Sequence, residues 1–173
     1  MTQNYFELFG LKPIFNLDLA ALEGNYRKIQ SESHPDRFVT ASGAEKLQSM
    51  QTATLTNEGY QTLKIPANRA KYILELQGIN AIAETNTAMS AEFLMQQMEW
   101  REALEDAKTE KNIKALESLL TEMRAEAKNL QLSLGDLLDI KKDYKAATET
   151  TRKLIFIDKV CADISKAIEQ IEN

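Results

Sequence analysis

The 173 residues, 43% of them hydrophobic, supply enough apolar material for one large core or two small ones. The single cysteine, Cys161, excludes an internal disulfide framework and argues against a thiolate metal site within one chain, which fits a reducing compartment. The net charge of −5 falls entirely in the second half, with 8 basic and 8 acidic residues up to Leu76 and 13 and 18 beyond it, and acidic helices disfavour nucleic acid.

Met1-Thr2-Gln3-Asn4-Tyr5 has neither a basic leader nor an apolar run of signal-peptide length, and no later stretch approaches membrane-spanning length. A soluble, cytoplasmic protein without membrane contact is therefore expected. Only three prolines and six glycines occur, and helical periodicity from Asp18 onward predicts an all-α fold. Asn4 is placed to cap a short helix carrying Tyr5, Phe6, Leu8 and Phe9, stopped by Gly10 and Pro13. Asp18 is the expected cap of a second helix with the stripe Leu19, Leu22, Tyr26 and Ile29, and Leu17 is a candidate hydrophobic staple onto Leu22. Pro35 ends that helix near Ser33 or His34. After a polar loop through Thr40, Ser42 and Gly43, a third helix is predicted from about Ala44 to Leu63. Its expected inner face is Leu47, Met50 or Gln51, Thr54 and Leu63, with Tyr60 nearby. Pro66 opens a short closing helix to Leu76, ended by Gly78.

The small polar residues from Asn80 to Ser90 read as a linker. On the helix opened by Ser90, Gln97, Trp100, Leu104 and Ala107 lie within about 40° of Phe93 and form the core stripe with it. Leu94, Met95 and Met98 fall outside it, beside Glu102 and bordered by Glu99 and Asp106. A long helix follows, with Ile113, Leu116, Leu120, Met123, Ala127, Leu130, Leu134 and Leu137 on one seam that Gly135 interrupts weakly. A turn at Lys141 to Asp143 brings back a last helix with Tyr144, Ala147, Thr151, Leu154, Cys161, Ile164, Ile168 and Ile171 on one side. Phe156 points away from that seam. Three helices on short turns form an antiparallel bundle.

His34-Pro35-Asp36 contains the only histidine and sits in the loop between two striped helices. On its own, Pro35 stops a helix and Asp36 caps a turn. Arg27, Lys28 and Arg37 add a basic patch beside this carboxylate and imidazole, suited to an acidic protein surface.

Over about the first 76 residues these elements resemble the J-domain family. Tyr5-Phe6-Glu7-Leu8-Phe9-Gly10-Leu11, Tyr26-Arg27-Lys28, His34-Pro35-Asp36 and Asn57-Glu58-Gly59-Tyr60-Gln61-Thr62-Leu63 occur in the family's order. The resemblance implies contact with a DnaK-type chaperone ATPase through Tyr26, Arg27, Lys28, His34, Pro35, Asp36 and Arg37, with Asp36 meeting a basic group. Gly59 stands where the family usually has Ala and should loosen its helix. No Gly/Phe-rich linker or paired CxxC motif follows, which points to a specialist member.

The surplus Leu94, Met95 and Met98 has two readings from pattern alone, a loosely patterned bundle or dimer contact and a docking face. Phe93-Leu94-Met95-Gln96-Gln97-Met98-Glu99-Trp100-Arg101-Glu102 and Arg152-Lys153-Leu154-Ile155-Phe156-Ile157-Asp158-Lys159 resemble the HscB family. That likeness implies binding of the iron-sulfur scaffold IscU by Leu94, Met95, Met98, Glu99, Glu102, Asp106 and Phe156. Met98 and Asp106 differ conservatively from the family's Leu and Glu. The implied role is delivery of IscU to the chaperone HscA and promotion of its ATP hydrolysis. The expected organisation is a J-domain over 1–76, a linker over 77–89 and a client-binding bundle over 90–173. Neither a cofactor, a metal nor catalysis by the chain itself is expected. The rivals are an enzyme using His34 and Asp36, which lacks a second histidine, a phosphate loop or metal-ligand spacing, and a structural helical oligomer. Weak self-association stays open.

Overall fold

The computed structural model describes residues 3–83 and 89–173, and among these it contains helices and turns but no strand. The chain divides into two units, Met1–Gln77 and Gly78–Asn173.

In the first unit, helix α1 is Tyr5–Leu8. Asn4 closes a capping box: its side chain accepts from the Glu7 N–H at 2.8 Å, and the Glu7 carboxylate accepts from the Asn4 N–H at 3.4 Å. Gly10, at φ 65°, then takes a left-handed turn that a Cβ would strain. Helix α2, Leu19–Ser33, begins where the Asp18 carboxylate accepts from the Ala21 N–H at 3.1 Å. It ends at His34, whose backbone is extended because Pro35 follows. A 3-10 turn, Pro35–Phe38, leads to α3, Gly43–Lys64, capped by Ser42, and then to α4, Pro66–Leu76. Helices α2 and α3 form an antiparallel hairpin, with α1 and α4 packed on α3.

The core here is Phe6, Phe9, Phe15, Leu22, Leu63, Ala70, Ile73 and Leu74. Phe15, in the connection between α1 and α2, was not among the expected core residues, and the Arg69 guanidinium lies 4.7 Å from its ring centroid. Two expectations for this core are corrected. Leu19, in the first turn of α2, is exposed. On α3, Leu47, Met50, Gln51 and Thr54 face solvent, and the buried positions are Ser49, Thr56, Gly59 and Leu63. The reason is close packing: a Cβ at Gly59 would stand 2.9 Å from Tyr5 Cδ1 and 3.2 Å from Phe9 Cε2. The small side of α3 admits the aromatic rings of α1, so its larger apolar residues turn outward. Gly59 thus allows the close approach of the Tyr5 and Phe9 rings at this junction.

In the second unit, α5 is Ala91–Thr109, α6 is Ile113–Gly135 and α7 is Tyr144–Glu172. The two connections are tight. Lys111 (φ 52°) precedes the Asn112 cap, and Lys142 (φ 51°) precedes the Asp143 cap, so each reversal uses a left-handed residue followed by a side-chain acceptor. After Gly135 the helix does not break but widens into a π-helical turn, Asp136–Ile140. The expected stripe on α5 is buried at Phe93, Trp100, Leu104 and Ala107, with Gln97 half-buried. It packs with Leu116, Leu120, Met123, Ala127 and Leu134 of α6 and Ala147, Thr151, Leu154 and Ile164 of α7. Ile157 and Val160, missing from the expected α7 seam, are fully buried as well, while Cys161 lies at its margin. Of the segment expected as a linker, residues 84–88 lie outside the described residues; Ala81 before them is fully buried. Among the described residues, no helix is long and apolar enough to cross a membrane.

Candidate functional site

The first surface is the corner between α2 and α3. Its geometry starts from Tyr26, which is half-buried and bolts the two helices together. Its hydroxyl donates to Asn57 Oδ1 at 2.7 Å, and its ring stacks on Tyr60 with centroids 4.0 Å apart. The Asn57-Glu58-Gly59-Tyr60 run is thus explained locally: Asn57 and Tyr60 receive Tyr26, and Gly59 makes room for Tyr5 and Phe9. At the end of α2, the buried Ser49 hydroxyl of α3 donates to the Ser33 carbonyl at 2.7 Å, fixing the chain one residue before His34. Sequence reasoning missed Ser49, whose only signal is a serine on the inward side of α3.

Beyond that anchor the chain turns outward. Pro35 opens the 3-10 turn, and His34 Nδ1 accepts from the Asp36 N–H at 3.2 Å. The same nitrogen lies 3.5 Å from Asp36 Oδ2, yet the Asp36 side chain is 88% exposed. The imidazole thus shapes the turn and the carboxylate is left pointing to solvent. Arg27, Lys28 and Arg37 are all exposed; Arg27 pairs with Glu23 at 2.7 Å, a solvent-exposed contact worth little. Arg27, Lys28, His34, Asp36 and Arg37 are thus all exposed, whereas Tyr26 is held between α2 and α3.

The second surface lies on α5 and α7. Leu94, Met95 and Met98 are 47, 64 and 72% exposed, outside the buried stripe as their helical positions require. Glu99, Glu102 and Asp106 are exposed beside them. Phe156 differs from these. It points away from the Leu154 seam, but it is half-buried, edge-on to Phe93 at 5.8 Å and stacked on Trp100 at 6.4 Å. It therefore belongs partly to the bundle it was expected only to decorate. The Trp100 indole N–H is buried and has no hydrogen-bond partner among the described residues.

The sole cysteine lies outside both surfaces. Burial, and secondarily Asp158, push the Cys161 thiol above its ordinary value against a smaller opposing effect of Arg124, which leaves it protonated at neutral pH. Among the described residues, no three His, Cys, Asp or Glu side chains converge as metal ligands would.

Comparison with known proteins gives a consistent result. Residues 89–165 match the family model described as the HSCB C-terminal oligomerisation domain. Over all 173 residues the chain is 50% identical to the co-chaperone protein HscB homolog of Paraburkholderia xenovorans and 47% identical to that of Azoarcus sp., covering 98% of each. Among solved structures it is similar to the chaperone HscB from Vibrio cholerae, with a TM-score of 0.85 and 38% identity, covering 98% of this chain and 99% of that one. It is also similar to human co-chaperone protein HscB, with a TM-score of 0.87 and 30% identity, covering 95% of this chain and 81% of the human one.

Proposed function

Because this chain belongs to the HscB family of co-chaperones, we propose that residues 1–76 act as a J-domain on the ATPase of a DnaK-type chaperone, HscA, while residues 90–173 carry the iron-sulfur scaffold IscU to it. The linker between them, residues 77–89, keeps client and chaperone at high effective concentration during cluster maturation or transfer. The protein regulates its partner's chemistry and performs none itself.

The observation that carries this reading is the corner after α2. Asp36 presents an 88% exposed carboxylate from a turn that His34 shapes, with exposed Arg37 next to it in the chain and exposed Arg27 and Lys28 near the end of α2. A turn that only reversed the chain would gain nothing from this display. The basic residues steer an acidic surface, and Asp36 engages a base on the partner; such charges set encounter rate and register. Stimulation follows if the contact favours the hydrolysis-competent state of the ATPase over its resting state. On the bundle, Leu94, Met95, Met98 and Phe156 provide adaptable apolar contact, and Glu99, Glu102 and Asp106 orient the client.

The test is ATP hydrolysis by HscA with catalytic amounts of the protein. Wild type is expected to accelerate turnover and His34→Gln to lose most of that effect; equal rates would remove the co-chaperone reading. Self-association through the Leu94, Met95 and Met98 face is a second reading, favoured by the oligomerisation domain named in the matching family model. Light scattering distinguishes it, since a monomer at working concentration leaves that face for a client.

A further inference from the structure

Between the start of α5 and the middle of α7 lies a cavity of about 360 Å³ lined by Ile82, Leu94, Gln97, Arg152, Ile155 and Phe156, among others. Its volume is at the low end of ligand cavities, enough for one or two apolar side chains. Two cations near the Phe93, Trp100 and Phe156 cluster are already compensated. Arg101 pairs with Asp163 at 3.8 Å and lies 5.3 Å from the Phe156 ring centroid, and Lys153 pairs with Glu149 at 3.7 Å and lies 5.4 Å from that of Phe93. Arg152, a half-buried residue, is different: among the described residues no carboxylate lies within ion-pairing distance of its guanidinium.

Leu94, Met98, Glu102 and Asp106 are spaced four residues apart, so they form one ridge along α5 about 18 Å long. Two apolar positions are followed by two acidic ones. Arg152 borders the cavity at the Leu94 end, so the surface reads cation, apolar groove, carboxylates in a single direction. A protein segment laid along it meets attraction in one orientation and like charges at both ends in the other. The net acidity of this half disfavours a polyanion as the occupant.

Building on the client-binding reading above, we propose that Arg152 is a specificity-determining residue that selects a carboxylate on the client protein, next to an apolar client side chain seated in the cavity, and so fixes the client's direction along α5. The planar guanidinium suits this role because it holds a carboxylate with two parallel hydrogen bonds.

The experiment titrates full-length protein with purified IscU by calorimetry at two salt concentrations, with thermal unfolding of each variant as the control for folding. Arg152→Gln is expected to weaken binding about threefold and to lessen its salt dependence, and Arg152→Glu to weaken it about tenfold. Arg152→Lys, which keeps the charge but not the planar fork, is expected to fall between wild type and Arg152→Gln. If Gln and Glu variants bind like wild type while Leu94→Ala/Met98→Ala binds weakly, the client face stands and the role of Arg152 is overturned. Gln and Glu variants that bind weakly but with the wild-type salt dependence would assign the effect to packing of the side chain and overturn the charge argument. If Leu94→Ala/Met98→Ala also binds like wild type, the client-binding reading itself fails, and this inference with it.

Discussion

Ser49 and Gly59 show how much of the first surface depends on side chains too small to attract notice in a sequence. The Ser49 hydroxyl holds the Ser33 carbonyl, and His34 follows directly. Ser49→Ala leaves that carbonyl without its partner, at a cost of about 1 kcal/mol in stability. The more telling effect is expected in ATP hydrolysis at saturating co-chaperone, where the variant should stimulate less because the corner is less firmly placed. Undiminished stimulation would mean that Pro35 alone sets the turn. At Gly59 two effects compete. Alanine favours the helix by about 1 kcal/mol, but its Cβ overpacks the Tyr5 and Phe9 rings, at roughly 1–3 kcal/mol. Gly59→Ala is therefore expected to lower the melting temperature by a few degrees, and in a Tyr5→Ala background the same change should be tolerated. An increase in stability with Tyr5 intact would show that the ring moves aside freely. The sequence pattern pointed to the wrong face of α3 for the same reason. It ranks residues by apolarity, whereas close approach selects for size, so Leu47 and Met50 were assigned inward and are exposed.

At the scale of elements, structure is legible in the sequence where a cap or a long periodic seam controls the outcome. Asn4, Asp18 and Ser90 each accept from an N–H three residues on, and the α5 stripe is buried as its spacing required. Periodicity cannot say how two helices share a residue that neither seam claims. Phe156 is such a residue: its direction relative to Leu154 was legible, but its contact with Phe93 and Trp100 depends on where α5 lies beside α7. The two parts of the proposed client surface should accordingly separate in thermal unfolding. Leu94→Ala and Met95→Ala are expected to stay within about 0.5 kcal/mol of wild type, as exposed substitutions do. Phe156→Ala should cost roughly 1–3 kcal/mol, less than the 3–5 kcal/mol typical of a fully buried ring. Similar melting temperatures for all three would show that the aromatic cluster contributes little to the bundle. A loss of client affinity in Phe156→Ala alone is consequently ambiguous, and Leu94→Ala provides the cleaner measure of the surface.

For the whole molecule, the question is whether two surfaces on one chain do more than the same surfaces on two. If delivery is the function, a client held on the bundle must arrive with the corner that triggers hydrolysis, and effective concentration, not a new contact, supplies the gain. His34→Gln is expected to bind IscU normally yet stimulate HscA poorly. Leu94→Ala/Met98→Ala should stimulate basal hydrolysis normally yet lose the added acceleration that client brings. The two defects lie in separate units, Met1–Gln77 and Gly78–Asn173, so each variant retains one intact surface. Mixed in equal amounts, they offer a complete set of surfaces divided between two chains. The mixture should fail to restore client-dependent hydrolysis at concentrations where wild type is fully active, because neither chain holds client and corner together. Restoration at those concentrations would show that the surfaces act independently, and that joining them serves some purpose other than delivery.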